Sequence, residues 1–137
     1  AGGIMTTALV TAKSGDKVKK VADRLTEARI HDVDLDAVAI VDSDGRLVGD
    51  VTMLDLLLAL RADADTRMSA LLEEEDVVTV SPHESANEVA TRLIETRRLS
   101  MVVVGDDGRP LGRILADDVL DALVPTKGRF HFPRLLS

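Results

Sequence analysis

Two uninterrupted apolar runs, Ala37 to Val41 and Met101 to Val104, stand out from the mixed pattern around them. Runs this short and this uniform predict strands buried on both faces. A helical pattern precedes each one. Val18, Val21, Ala22, Leu25 and Ala28 lead to the first; Ala86, Val89, Ala90, Leu93 and, less cleanly, Arg97 lead to the second. Steps of three and four place these side chains on one face, so both segments are predicted as amphipathic helices. Before the helices, Leu9 to Ala12 and Val77 to Val80 are short β-branched stretches that predict strands. After the runs, Ser43-Asp44-Gly45 and Asp106-Asp107-Gly108 predict hairpin turns, because glycine supplies the positive φ such turns need. Leu47 to Val51 and Leu111 to Leu115 are the predicted return strands, and Leu54 to Leu60 and Asp118 to Leu123 the closing helices.

The order β-α-β-β-α is thus written twice, and individual residues recur with it. Val10-Thr11 returns as Val78-Thr79, and Val21-Ala22-Asp23-Arg24-Leu25 as Val89-Ala90-Thr91-Arg92-Leu93, 68 residues later. Val41-Asp42-Ser43-Asp44-Gly45-Arg46-Leu47-Val48-Gly49 returns as Val104-Gly105-Asp106-Asp107-Gly108-Arg109-Pro110-Leu111-Gly112, 63 residues later. Two units are too few for a solenoid. They predict an α/β (α+β) fold in which two repeats, residues 1–65 and 66–124, pack about a pseudo-two-fold with clefts between them. Thr66 to Leu72 is predicted as a short connecting helix and Glu73 to Asp76 as a solvated loop. Pro125, Gly128 and Pro133 mark residues 125–137 as a C-terminal extension.

A chain of 137 residues fits one domain, and 45% hydrophobic residues can build its core. With two Phe and no Trp or Tyr, that core is aliphatic. A net charge of −7 argues against nucleic acid as a partner, since binding it calls for a basic face. The absence of cysteine excludes a disulfide scaffold, a thiol nucleophile and Cys-ligated zinc. No apolar run reaches the roughly 18 residues of a spanning helix, and no secretory leader pattern is present. The expectation is a cytoplasmic module. The chain begins at Ala, which suits a piece excised from a larger polypeptide that includes a membrane portion. No nucleophile–base pair, His-containing ligand cluster or Gly-rich phosphate loop is legible, so an enzyme is not expected.

The last helix of each repeat opens on a recurring motif: Gly49-Asp50-Val51-Thr52-Met53-Leu54-Asp55 and Gly112-Arg113-Ile114-Leu115-Ala116-Asp117-Asp118. Together with the openings Ile4-Met5-Thr6 and Arg67-Met68-Ser69, and with Val78-Thr79-Val80-Ser81-Pro82, this ordered set resembles the CBS domain pair, the tandem module named after cystathionine beta-synthase. The likeness covers roughly residues 4 to 124. A narrower likeness links Ala1-Gly2-Gly3-Ile4-Met5-Thr6 and Leu54-Asp55-Leu56-Leu57-Leu58-Ala59 to the cytosolic sensor of bacterial magnesium transporters of the E type.

The resemblance implies a regulatory module that senses an adenine nucleotide (AMP, ADP or ATP) in the cleft between repeats and controls an attached or partner protein. Thr52 would touch phosphate or ribose, and Asp55 would hold both ribose hydroxyls. A carboxylate has the lone pairs to accept from two hydroxyls, and a helix N-terminus favours phosphate. Thr52-x-x-Asp55 is equally a capping-box pattern, and the two roles are compatible. By family geometry the same site is completed by Val78, Thr79, Ser100, Met101 and Val102, with Arg97 and Arg98 placed to meet phosphate. The alternatives are a solvated helix end for the arginines and plain core for Met101. In the second repeat Leu115 replaces the threonine and leaves only Asp118, so one good site per chain is expected.

Asp32, Asp34 and Asp36 alternate at strand-like spacing, which could hold Mg²⁺ through one or two carboxylates and several waters. An acidic loop without an ion fits the same residues. This leaves a Mg²⁺ sensor as a second function, and an empty dimerising module as a third. Leu56, Leu57, Leu58 and Leu60 with Val119, Leu120 and Leu123 exceed what one buried helix face can use, so a homodimer through these helices is expected.

Overall fold

Each apolar run forms the central strand of a small sheet. The computed structural model describes residues 3–7, 9–27, 36–72 and 77–124. The first repeat contains β1 (Thr11–Lys13), α1 (Val18–Glu27), β2 (Ala37–Val41), β3 (Leu47–Thr52) and α2 (Met53–Ala62). The second contains β4 (Thr79–Val80), α3 (Ala86–Thr96), β5 (Ser100–Val104), β6 (Pro110–Leu115) and α4 (Ala116–Leu123). The sheets share one topology, β1-β2-β3 and β4-β5-β6, with the first pair parallel and the second antiparallel. The duplicated α/β architecture read from the sequence is the one observed.

Boundaries differ from the expected ones where pairing runs out. β1 starts at Thr11 instead of Leu9, because its only neighbour, β2, pairs from Ala39 to Val41. The expected helix at Thr66 to Leu72 tightens to a 3₁₀ turn at Met68–Leu71. Both hairpins turn on a glycine at positive φ, Gly45 at 84° and Gly108 at 82°. They also touch each other, since Leu47 N donates to Gly108 O at 2.9 Å and Arg109 Nη2 to Asp44 O at 2.9 Å.

Strand alternation divides each sheet into two buried faces. Val38 and Ile40 enter a core with Val18, Val21, Val51 and Leu56. Met101 and Val103 enter another with Val89, Leu93, Ile114 and Val119. The intervening residues Ala37, Ala39, Ser100 and Val102 are also fully buried, although they belong to neither core. They lie on the faces that carry the polar contacts between repeats.

Each half is completed by a segment that precedes the other half in the chain. Met68 is fully buried in the first core, and Leu71 and Leu72 pack on it. Ile4 and Met5 pack on the second core. Backbone pairing fixes the exchange. Met68 N donates to Asp16 O at 2.8 Å and Ser69 N to Ser14 O at 2.9 Å, while Thr6 and Arg113 exchange bonds of 2.8 and 2.9 Å. Glycine permits both approaches. A Cβ on Gly49 would run into Leu72, and one on Gly112 into the Thr6 carbonyl oxygen.

Candidate functional site

The start of α2 gives the site its polar rim. Thr52 keeps extended dihedrals (φ −69°, ψ 154°) and its hydroxyl accepts from Asp55 N at 3.1 Å, so it caps the helix. The reciprocal half of the box is absent. In α3, by contrast, Ser85 and Glu88 bond each other's backbone N–H in both directions. Among the described residues the exposed Asp55 carboxylate has no hydrogen-bond or ion-pair partner.

Thr52 and Asp55 open onto a cleft of about 350 Å³ between the repeats, within the range of about 300–1,000 Å³ typical of small-molecule sites. Val48, Gly49 and Asp50 of β3 form one side, with Leu71 of the 3₁₀ turn and Leu72 just after it beside them. Val77 and Val78 ahead of β4, with Thr96 at the end of α3 and Arg98 just beyond it, form the other. Apolar side chains therefore share the lining with Asp50, Thr52, Asp55, Thr96 and Arg98, an arrangement suited to a ligand that carries hydroxyls and an anion beside an apolar part.

Of the residues expected in this cleft, Thr52, Asp55, Val78 and Arg98 line it. Thr79 lies within β4, paired with Val102, and does not reach the cleft. Ser100, Met101 and Val102 are fully buried, Met101 in the second core. Arg97 is exposed and ends α3 in the left-handed conformation (φ 56°). Asp118 lines a different groove, of about 620 Å³, beside Ile4 to Thr7. Leu115 makes no side-chain cap for α4, so the hydroxyl is missing there in fact as in sequence.

Asp36 faces the other repeat, where its carboxylate accepts from Ser100 Oγ at 2.5 Å. Asp32 and Asp34 lie outside the described residues, as does the acidic segment 73–76. Among the described residues no three His, Cys, Asp or Glu side chains gather as a metal site. No helix among them is long and apolar enough to cross a membrane.

A buried polar chain under the cleft was not expected. Arg113 is fully buried, and its Nη2 and Nη1 donate to Asp50 Oδ1 and Oδ2 at 2.6 and 3.0 Å. Its Nη1 also reaches Ser100 Oγ at 2.8 Å, which links it to Asp36. Arg98 Nη2 donates to Asp50 Oδ2 at 2.6 Å, and Arg98 Nε to Ser100 O at 3.2 Å. A signal for this network was present, because Asp50 and Arg113 are equivalent under the 63-residue shift and carry opposite charges. Two equivalent positions on either side of a pseudo-two-fold approach each other when they lie near the axis.

A model of the CBS domain matches residues 1–62 and 71–125. The magnesium transporter MgtE of Thermus thermophilus is 32% identical over 123 residues, covering 90% of this chain and 26% of the relative. That of Enterococcus faecalis is 28% identical, with the same coverage. This chain therefore spans about a quarter of the length of those relatives. Among solved structures, the cytosolic domain of the Mg²⁺ channel MgtE in complex with ATP aligns with a TM-score of 0.81 at 32% identity, covering 90% of this chain and 48% of that one.

Proposed function

Because the chain belongs to the CBS domain family, with a copy in each half, we propose that it is a regulatory module whose Thr52–Asp55 cleft takes an adenine nucleotide, AMP, ADP or ATP. The observation that carries this reading is the Asp55 carboxylate, without a partner among the described residues, beside a cleft that also holds Leu72, Val78 and Arg98. A carboxylate accepts from two adjacent ribose hydroxyls. Leu72 and Val78 supply apolar surface for a base, and Arg98 supplies a cation for phosphate. The related MgtE domain was solved with ATP, which supports the ligand class.

Calorimetry with AMP, ADP and ATP tests the reading, and about one nucleotide per chain is expected. Asp55→Ala should weaken binding by about 1.5–3 kcal/mol, the worth of hydrogen bonds to a charged group. No heat at millimolar nucleotide would sink the proposal.

The MgtE relatives favour a more specific role, in which the module sits on the cytoplasmic side of a magnesium-transporting polypeptide and reports to it. A Mg²⁺-sensing function through Asp32, Asp34 and Asp36 is the alternative within that role. Titrating Mg²⁺ without nucleotide, and following the melting temperature, separates the two. A Mg²⁺-dependent rise that disappears in the triple Asp→Asn variant would favour the ion.

Assembly as a homodimer belongs to the same proposal. Leu54, Leu57, Leu58 and Leu120 are each more than half exposed on α2 and α4. Leu56 and Val119, counted with this surplus in the sequence, belong to the cores instead, because each projects from its helix toward its own sheet. The informative variant is thus Leu57→Glu with Leu120→Glu. Sedimentation should show a dimer for the parent and a folded monomer for the variant; a parent that is monomeric at micromolar concentration refutes the assembly.

A further inference from the structure

We infer that Asp50 is a positioning residue that sets how strongly the cleft favours a phosphorylated over an unphosphorylated ligand, by holding and partly neutralising Arg98. The inference rests on the nucleotide reading above. Among the described residues Arg98 is the one arginine that lines the cleft, and its side chain is 25% exposed. Its Nη2 is already bonded to Asp50 Oδ2 at 2.6 Å, and its Nε to Ser100 O. Nη1 has no partner among the described residues. A phosphate reaching the guanidinium therefore meets a cation whose charge is partly balanced by an Asp50 side chain only 4% exposed.

Asp50 does not depend on Arg98 alone. Both of its oxygens also accept from Arg113, at 2.6 and 3.0 Å. When Arg98 turns toward a phosphate, Asp50 keeps a paired partner, so the exchange strands no buried charge. The penalty that remains is repulsion between the carboxylate and the incoming anion. At separations of several ångströms near a protein surface such a term is large enough to change affinity severalfold. The network thus permits phosphate binding and restrains it, and the restraint lies in one removable charge.

The test compares AMP with adenosine by calorimetry on the purified chain. The parent is expected to prefer AMP. Arg98→Gln should leave adenosine affinity within about twofold and lower AMP affinity by roughly tenfold or more, and Arg98→Lys should restore part of the preference. Asp50→Asn keeps an acceptor for Arg113 but removes the charge, and should raise the AMP-to-adenosine ratio by about fivefold or more. If that variant does not fold, Asp50→Asn with Arg113→Met removes the buried pair together and should raise the ratio alike. Equal losses for both ligands in Arg98→Gln, or an unchanged ratio in the folded Asp50 variant, would overturn the inference. If neither ligand binds the parent, the nucleotide reading fails and this one falls with it.

Discussion

Asp50→Leu should be the most damaging single substitution among those considered, costing about 3–5 kcal/mol, the range for stranding one member of a buried ion pair. Arg113 is fully buried and, among the described residues, its side chain would keep only the Ser100 hydroxyl as partner. Its Nε already lacks a hydrogen-bond partner among the described residues. Arg113→Met should cost less, because Asp50 retains Arg98 at 2.6 Å. The double replacement should recover much of the loss, since removing both charges from an apolar setting is often neutral or better. Urea unfolding of the parent, both single variants and the double variant gives the coupling energy directly. If the two single losses are equal and simply add, Arg98 does not sustain Asp50 and the network is weaker than its geometry suggests.

Gly112→Ala should follow, at about 3 kcal/mol, the upper end of overpacking costs. A methyl there meets the backbone oxygen of Thr6, which is held by paired bonds to Arg113 and cannot rotate away. Relief requires lifting Ile4 to Thr6 from the second core. The equivalent change, Gly49→Ala, should cost only about 1 kcal/mol, because the obstructing atoms are the free end of Leu72. It should also disturb ligand affinity, since Leu72 walls the cleft. Denaturant midpoints test the first contrast and calorimetry the second. Equal costs at both glycines would show that the Thr6 segment yields more easily than its hydrogen bonds imply.

The fold was legible because its signals are local and doubled. Asp-Gly turns, apolar runs and helical spacing each specify an element without help from distant residues, and the repetition confirmed their order. The cleft was half legible. Thr52 and Asp55 belong to a local motif, but whether Met101 or Val78 faced a ligand depended on strand register, and one residue of register exchanges the two faces. Family geometry puts Ser100 and Met101 at the cleft, and the sheet turns the side chain of the first to the inter-repeat contact and that of the second to the core. The Asp50–Arg113 pair was out of reach of local reading, although the two positions could be compared by the repeat shift. Opposite charges at equivalent positions hint at contact only once the pseudo-two-fold is known to pass between them.

The exchanged lead-in segments also bear on how the molecule acquires its structure. Neither repeat can close its core from its own consecutive residues. The first waits for Met68, and the second for Ile4 and Met5, from the far end of the chain. Closing the Thr6–Arg113 pairing spans nearly the whole described chain, so the entropy of a long loop is lost before its contacts are gained. The two halves should therefore unfold in a single transition, and a repeat expressed alone should remain incomplete. Duplication here has made two cores, each closed by a segment that lies next to the other half in the chain.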